Sequence, residues 1–171
     1  MKYYFVSDVH GEYDKMVAAL NASGFDPQKD TIVSLGDAID RGEKSREVVE
    51  YLLSCPNRIL IMGNHDQSAT KFKSYFNEIY TGPLFIAEKI LLSHEPIVSG
   101  STWYNIHGHD HNPKKLPWEK DNFMDYWNEI NLASNVVNYQ VFNLGKAIKD
   151  GLLSYVDGVH RLTIDKASGR K

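Results

Sequence analysis

Residues 3–24, YYFVSDVHGEYDKMVAALNASG, contain the unit that decides the fold. Residues 3–7 form a short β-branched and aromatic run, the pattern of a buried strand. A polar turn carrying Asp8 and His10 follows it. Tyr13, Met16, Val17 and Leu20 then recur at helical spacing, and Gly24 supplies a stop. The same order repeats downstream. TIVSL, 31–35, predicts a second strand with Asp37 just past it. SREVVEYLLS, 45–54, sets Val48, Val49, Leu52 and Leu53 on one helical face, with Pro56 beyond the end. RILIM, 58–62, predicts a third strand followed by Asn64 and His65, and QSATKFKSYFNEIY, 67–80, predicts a third helix.

After residue 83 the pattern changes. PLFIAEKILLS, 83–93, reads as a hairpin around Glu88 and Lys89, and WYNIH, 103–107, as a short strand. Residues 113–135 read as turn-rich and then helical, and VHRLTID, 159–165, as an edge strand. Strand–helix–strand units with near-continuous apolar strands imply a parallel sheet. Hairpin-connected later strands imply a second, mixed or antiparallel sheet. The expected fold class is therefore α/β, a two-sheet sandwich flanked by helices. A single domain over 1–171 is expected, with 113–150 as a variable insert or cap.

Composition narrows the function. Apolar residues make up 42% and charged residues 24% of the chain, as in ordinary globular domains. A formal net charge of −3 disfavours stable nucleic-acid binding, which needs a Lys/Arg excess. Cys55 is the only cysteine, so neither a disulfide framework nor a thiolate zinc cluster is expected; it reads as a small buried residue ending a helix. No apolar run approaches the ~20 residues of a membrane span, so a cytoplasmic location is expected.

One regularity stands out: each apolar run ends in residues able to bind a cation. Asp8 and His10, Asp37, Asn64 and His65, His94, and His109 and His111 all lie just past a predicted strand. In an α/β sheet such positions converge on one crevice. Taken singly, each has an ordinary explanation, because Asp and Asn favour turns and most histidines are simply hydrogen-bonded. Their recurrence at five strand ends favours a metal site. Without a cysteine partner, that site resembles an open catalytic one more than a closed structural zinc site. Asp8, His10, Asp37, Asn64, His94, His109 and His111 are too many for one tetrahedral ion and suit two ions about 3.5–4 Å apart.

The blocks SDVHG (7–11), LGDAIDRG (35–42), MGNHD (62–66), LSHEP (92–96) and HGHDH (107–111) resemble, in order, those of the calcineurin-like metallophosphoesterases. The resemblance covers residues 3 to about 112. It implies Asp8, His10 and His111 as ligands of a first metal. It implies Asp37 as a bridging carboxylate, and Asn64, His94 and His109 as ligands of a second metal. His65 matches the family's catalytic histidine, Asp40 the carboxylate that orients it, and Arg41 a phosphate-gripping arginine of the protein-phosphatase-like branch. Asp66 reads as an N-cap rather than a ligand, and His107 as a supporting residue. Gly11, Gly36, Gly63 and Gly108 read as tight turns or points of close backbone approach.

The first blocks look like those of protein Ser/Thr phosphatases and symmetrical diadenosine tetraphosphate hydrolases. LSHEP and HGHDH look instead like small bacterial and phage phosphoesterases. The implied activity is dinuclear, metal-dependent hydrolysis of a phosphomonoester or phosphodiester by metal-activated water. Two divalent ions are expected, Mn or Fe, with Zn, Ni or Co as alternatives. The expected substrate is a small phosphorylated molecule or nucleotide rather than a phosphoprotein. A catalytically inactive scaffold of the same fold and a nuclease are the rival readings. Trp118, Phe123, Tyr126 and Trp127 would cap the site or pack as a helix, and Asn138 lies where the chain returns to the sheet.

Overall fold

The structure, a computed structural model, describes residues 2–66, 79–86, 89–98, 103–111, 128–153 and 156. Among these described residues, two sheets and three α-helices form the framework. The first sheet runs β4-β3-β2-β1-β9, from β1 (Tyr3–Val6), β2 (Thr31–Ser34), β3 (Arg58–Ile61), β4 (Ile79–Tyr80) and β9 (Phe142–Asn143). Strands β1 to β4 are parallel, as the strand–helix repeats imply, and β9 adds antiparallel to β1. The second sheet runs β5-β6-β7-β8, from β5 (Leu84–Ile86), β6 (Ile90–Leu92), β7 (Tyr104–His107) and β8 (Glu129–Asn131). Only β5 and β6 form the expected hairpin; β6, β7 and β8 are parallel, so this sheet is mixed.

Strand alternation builds three layers. Phe5, Val33, Leu35, Ile59 and Ile61 face the second sheet and pack with Leu84, Ile86, Ile90, Leu92, Tyr104, Ile106 and Ile130. Tyr4, Val6, Ile32 and Leu60 point the other way, towards α1 (Tyr13–Ala22) and α2 (Ser45–Ser54). There they meet Met16 and Leu20 from α1 and Val48 and Leu52 from α2. Side chains such as Leu35, Leu92 and Ile106 are fully buried, each worth about 1.5–3 kcal/mol of transfer free energy. Cys55 ends α2 and is buried, as its place in the sequence suggests.

Two expectations need correction. Residues 79–80 are strand β4, not the end of a helix. Residues 129–131 are strand β8, not helix. Asn128 is left-handed with φ 52°, which breaks any helix there, and Ile130 is drawn into the core between the sheets. The short helix α3 (Leu144–Lys149), capped by the Asn143 side chain, had no clear sequence pattern. The helix over 67–78, the aromatic group Trp118, Phe123, Tyr126 and Trp127, His160 and the strand over 159–165 lie outside the described residues.

Candidate metal centre

The carboxyl ends of β1, β2, β3, β6 and β7 open onto one crevice, and the chain turns sharply at each. Asp8, His10, Asp37, Asp40, Arg41 and His109 all adopt left-handed backbone, with φ between 48° and 74°. Asp and His tolerate this region better than most residues, and non-glycine residues held there concentrate at functional sites. Backbone bonds from Asp8 to Gly36 and from His10 to Asp37 lock the first two turns together. The turns also pack closely. A Cβ on Gly63 would collide with the Asp37 carboxylate, and one on Gly108 with Ser7 Oγ and Asp8 Oδ2.

The expected ligands meet in two groups, each assembled from both sheets. Asp8, His10 and His111 place one donor atom each within 4.8 Å of one another; so do Asp37, His94 and His109. Asn64 joins the second group, its Oδ1 3.0 Å from His94 Nε2 and 3.1 Å from His109 Nδ1. Asp37 stands between the groups. Its Oδ2 is 3.4 Å from His94 Nε2, 3.8 Å from His10 Nε2 and 4.0 Å from His65 Nε2.

The imidazoles are held by their far nitrogens. His10 Nδ1 faces the carbonyl of Ile39 at 3.1 Å, and His94 Nδ1 that of Leu35 at 3.0 Å. Each carbonyl requires an N–H, so the Nε2 atoms are turned to the crevice. His10 Nε2 is buried there with no hydrogen-bond partner among the described residues. Burial also holds the His10 pKa below the ordinary histidine value, chiefly by desolvation. An uncharged, buried, unpartnered nitrogen is what a cation site requires and what a purely structural site avoids. In the second group the acceptors of Asn64, His94, His109 and Asp37 crowd one point. Burial alone would lower His94 and raise Asp37. Their mutual hydrogen bond and charge attraction, with the backbone bonds at Leu35 and His65 and the other nearby charges, together outweigh burial, so the imidazole is raised and the carboxyl lowered. One proton on His94 relieves only part of that crowding; a cation would serve several donors at once. The residues therefore fit a pair of divalent ions.

A separate chain of groups lines the mouth. His65 Nδ1 lies 2.7 Å from Asp40 Oδ2, and Arg41 Nη2 3.3 Å from His65 Nε2. The hydrogen bond to His65 pulls the exposed Asp40 carboxyl below its usual range. So Asp40 does lie where it can orient His65, and its oxygens do not cap α2, whose first turn has no side-chain cap.

A scan against known families matches residues 1–157 to the calcineurin-like phosphoesterases. The chain belongs to that family. Among curated calcineurin-like relatives, a symmetrical bis(5'-nucleosyl)-tetraphosphatase of Buchnera aphidicola is 37% identical over 93 residues, covering 48% of this chain and 34% of the relative. One from Klebsiella pneumoniae is 43% identical over 67 residues, covering 39% and 24%. The matched stretch thus spans about a third or a quarter of these relatives' length. Among solved structures, a protein of unknown function from Aquifex aeolicus covers 86% of this chain and 98% of its own, at 25% identity and TM-score 0.59. A cold-active protein-tyrosine phosphatase of Shewanella shares the fold at 15% identity, TM-score 0.58, with 84% and 75% coverage.

Several contributors to this phosphoesterase-family site were not legible as such. The helix that Asp66 was expected to cap lies outside the described residues; its buried carboxylate accepts from the backbone N–H groups of Asp37 at 2.7 Å, Ala38 at 3.0 Å and Gly63 at 3.0 Å. Burial pushes its pKa up, and the nearby Asp37 charge adds to that, against the pull of those N–H groups. It ties the turns after β2 and β3 together. Replacing it, Asp66→Ala, strands three buried donors and is expected to cost about 3 kcal/mol or more. Denaturant unfolding of the metal-free protein measures this, with Asp66→Asn, which keeps one acceptor, losing less. His107 is buried against its own turn, Nδ1 2.7 Å from the Gly108 carbonyl, and burial lowers its pKa. Its supporting role agrees with that placement. Asp110 joins the turn through its backbone, and Asn138 sits in a surface turn over 134–139. No helix among the described residues is long and apolar enough to cross a membrane.

Proposed function

We propose that this chain hydrolyses phosphate esters with two divalent ions, using Asp8, His10, Asp37 and His111 at one and Asp37, Asn64, His94 and His109 at the other. The observation that carries this reading is the pair of donor groups flanking Asp37, with the buried Nε2 of His10, in the first group, lacking a hydrogen-bond partner among the described residues. The ions, Mn or Fe by the softness of an oxygen and imidazole donor set, would supply Lewis acidity to phosphate oxygens and lower the pKa of the attacking water.

The protein's own groups do the rest. His65 Nε2, at the mouth, would give its proton to the leaving oxygen as the phosphorus–oxygen bond breaks. Asp40 accepts from Nδ1–H and steadies the positive ring before that transfer. Arg41 faces Nε2 when that nitrogen is unprotonated. Once Nε2 carries a proton, two donors oppose each other, and the guanidinium fork is released towards phosphate oxygens. A small phosphorylated substrate or nucleotide suits this open mouth. The relatives' names make a dinucleoside tetraphosphate, cleaved at a phosphoanhydride by the same attack of water on phosphorus, the first candidate.

The test uses metal-free protein reloaded with Mn. It is assayed on an aryl phosphate monoester, an aryl diester and a dinucleoside tetraphosphate. Turnover of at least one substrate, lost on chelation and restored by Mn, is expected. Tight binding of two ions without turnover of any of them would favour a non-catalytic scaffold. Failure to bind metal would end the reading.

A further inference from the structure

The imidazoles of His10 and His94 are oriented by backbone carbonyls. His111 lies beyond the strand, where no backbone carbonyl of the described residues performs that task. Its partner is a side chain from within residues 113–150, 24 positions further along the chain. Asn135 Nδ2 donates to the His111 carbonyl at 2.9 Å, and Asn135 Oδ1 lies 2.7 Å from His111 Nδ1. The first contact fixes the second. A carbonyl oxygen only accepts, so the NH2 end of the amide must face it, and the amide oxygen must face the ring. An oxygen at 2.7 Å requires a hydrogen on Nδ1. The lone pair is therefore on Nε2, which points at Asp8 Oδ1 from 3.4 Å.

The neighbouring residues reinforce the grip. Asn131 Nδ2 donates to the Asp110 carbonyl at 2.6 Å, and Ser134 Oγ donates to the carbonyl of Ser7. Ser7 Oγ in turn donates to Asp8 Oδ2 at 2.5 Å. One short segment, 131–135, thus holds both Asp8 and His111, which come from different sheets.

We propose that Asn135 is a positioning residue that locks His111 as its Nδ1–H tautomer and so presents Nε2 to the first metal. This rests on the metal reading above, but half of its test needs no metal. Asn135 is exposed, so its substitution leaves the fold intact, as an amide spectrum would verify. In metal-free wild type at about pH 8.5, where ordinary imidazoles are neutral, nitrogen-15 imidazole shifts should report His111 as Nδ1–H. The signal is assigned by its loss in His111→Gln. Asn135→Ala should shift it towards a tautomer mixture, whereas Asn135→Asp, which keeps an acceptor, should restore Nδ1–H. In calorimetric Mn titrations, Asn135→Ala should weaken one of the two ions by about 10–100-fold and leave the other near wild type. An unchanged tautomer in Asn135→Ala overturns the proposal, as does wild-type affinity at both sites. If wild type binds no metal at all, the proposed function fails, and the tautomer measurement alone still decides the role of Asn135.

Discussion

Asp37→Asn should reduce hydrolysis by about 10³-fold or more and abolish binding of at least one ion. The substitution is nearly isosteric, so packing survives. What changes is the charge at the one oxygen that stands between His10, His94 and His65. A neutral amide cannot balance two dications at once, and losing several kcal/mol of charge stabilisation is a loss of that order in rate. The Asp37 carboxylate also accepts from His65 N–H at 2.9 Å through its other oxygen. The amide can keep that bond by presenting its oxygen, which then turns its NH2 towards the imidazoles. Metal stoichiometry by elemental analysis and initial rates on the same preparation check the result. Wild-type occupancy with wild-type rate would remove Asp37 from the centre of the site.

His65→Asn should lower kcat by about 10²–10⁴-fold while both ions still bind, because His65 lies outside both donor groups. This separates a proton donor from a ligand. Asp40→Asn should cost less, about 10–100-fold, since it acts through the ring rather than on the substrate. The two losses should not add in the double variant: without the imidazole, Asp40 has nothing to orient. A leaving group that needs no proton sharpens the comparison. With a nitrophenolate ester, His65→Asn should recover much of the lost rate. An equal deficit on poor and good leaving groups would argue that His65 grips phosphate instead of donating a proton.

Much of this site was readable because the chain writes it in a repeated form. Apolar runs at 3–7, 31–35 and 58–62 are strands or lead into them, and each ends on side chains that the parallel arrangement brings to one edge. His94 and His109 were legible for the same reason on the second sheet. The rest had no pattern to read. Strand β8 is three residues with one buried side chain, and β9 is two residues held by backbone pairing to β1. Asn135 is one polar residue among several, and nothing local distinguishes it from Asn138; only the fold brings it 24 positions back to His111. Asp66 reads in sequence as a cap for the helix expected after it, and nothing local points to its other bonds. Here its carboxylate turns back to the preceding turns, a choice set by tertiary contacts rather than by propensity.

Because each donor group takes members from both sheets, cation binding on the proposed reading would be linked to sheet cohesion in one equilibrium. An ion joining Asp8 and His10 to His111, or Asp37 to His94 and His109, fastens β1 and β2 to the ends of β6 and β7 at the open rim of the sandwich. Whatever binds the closed arrangement and not the unfolded chain adds its free energy to folding, about 2.7 kcal/mol for one site at a hundredfold excess over its dissociation constant. With two ions bound as proposed, the crevice would behave as a clasp, and the supply of metal in the protein's surroundings would set how firmly the two halves stay shut.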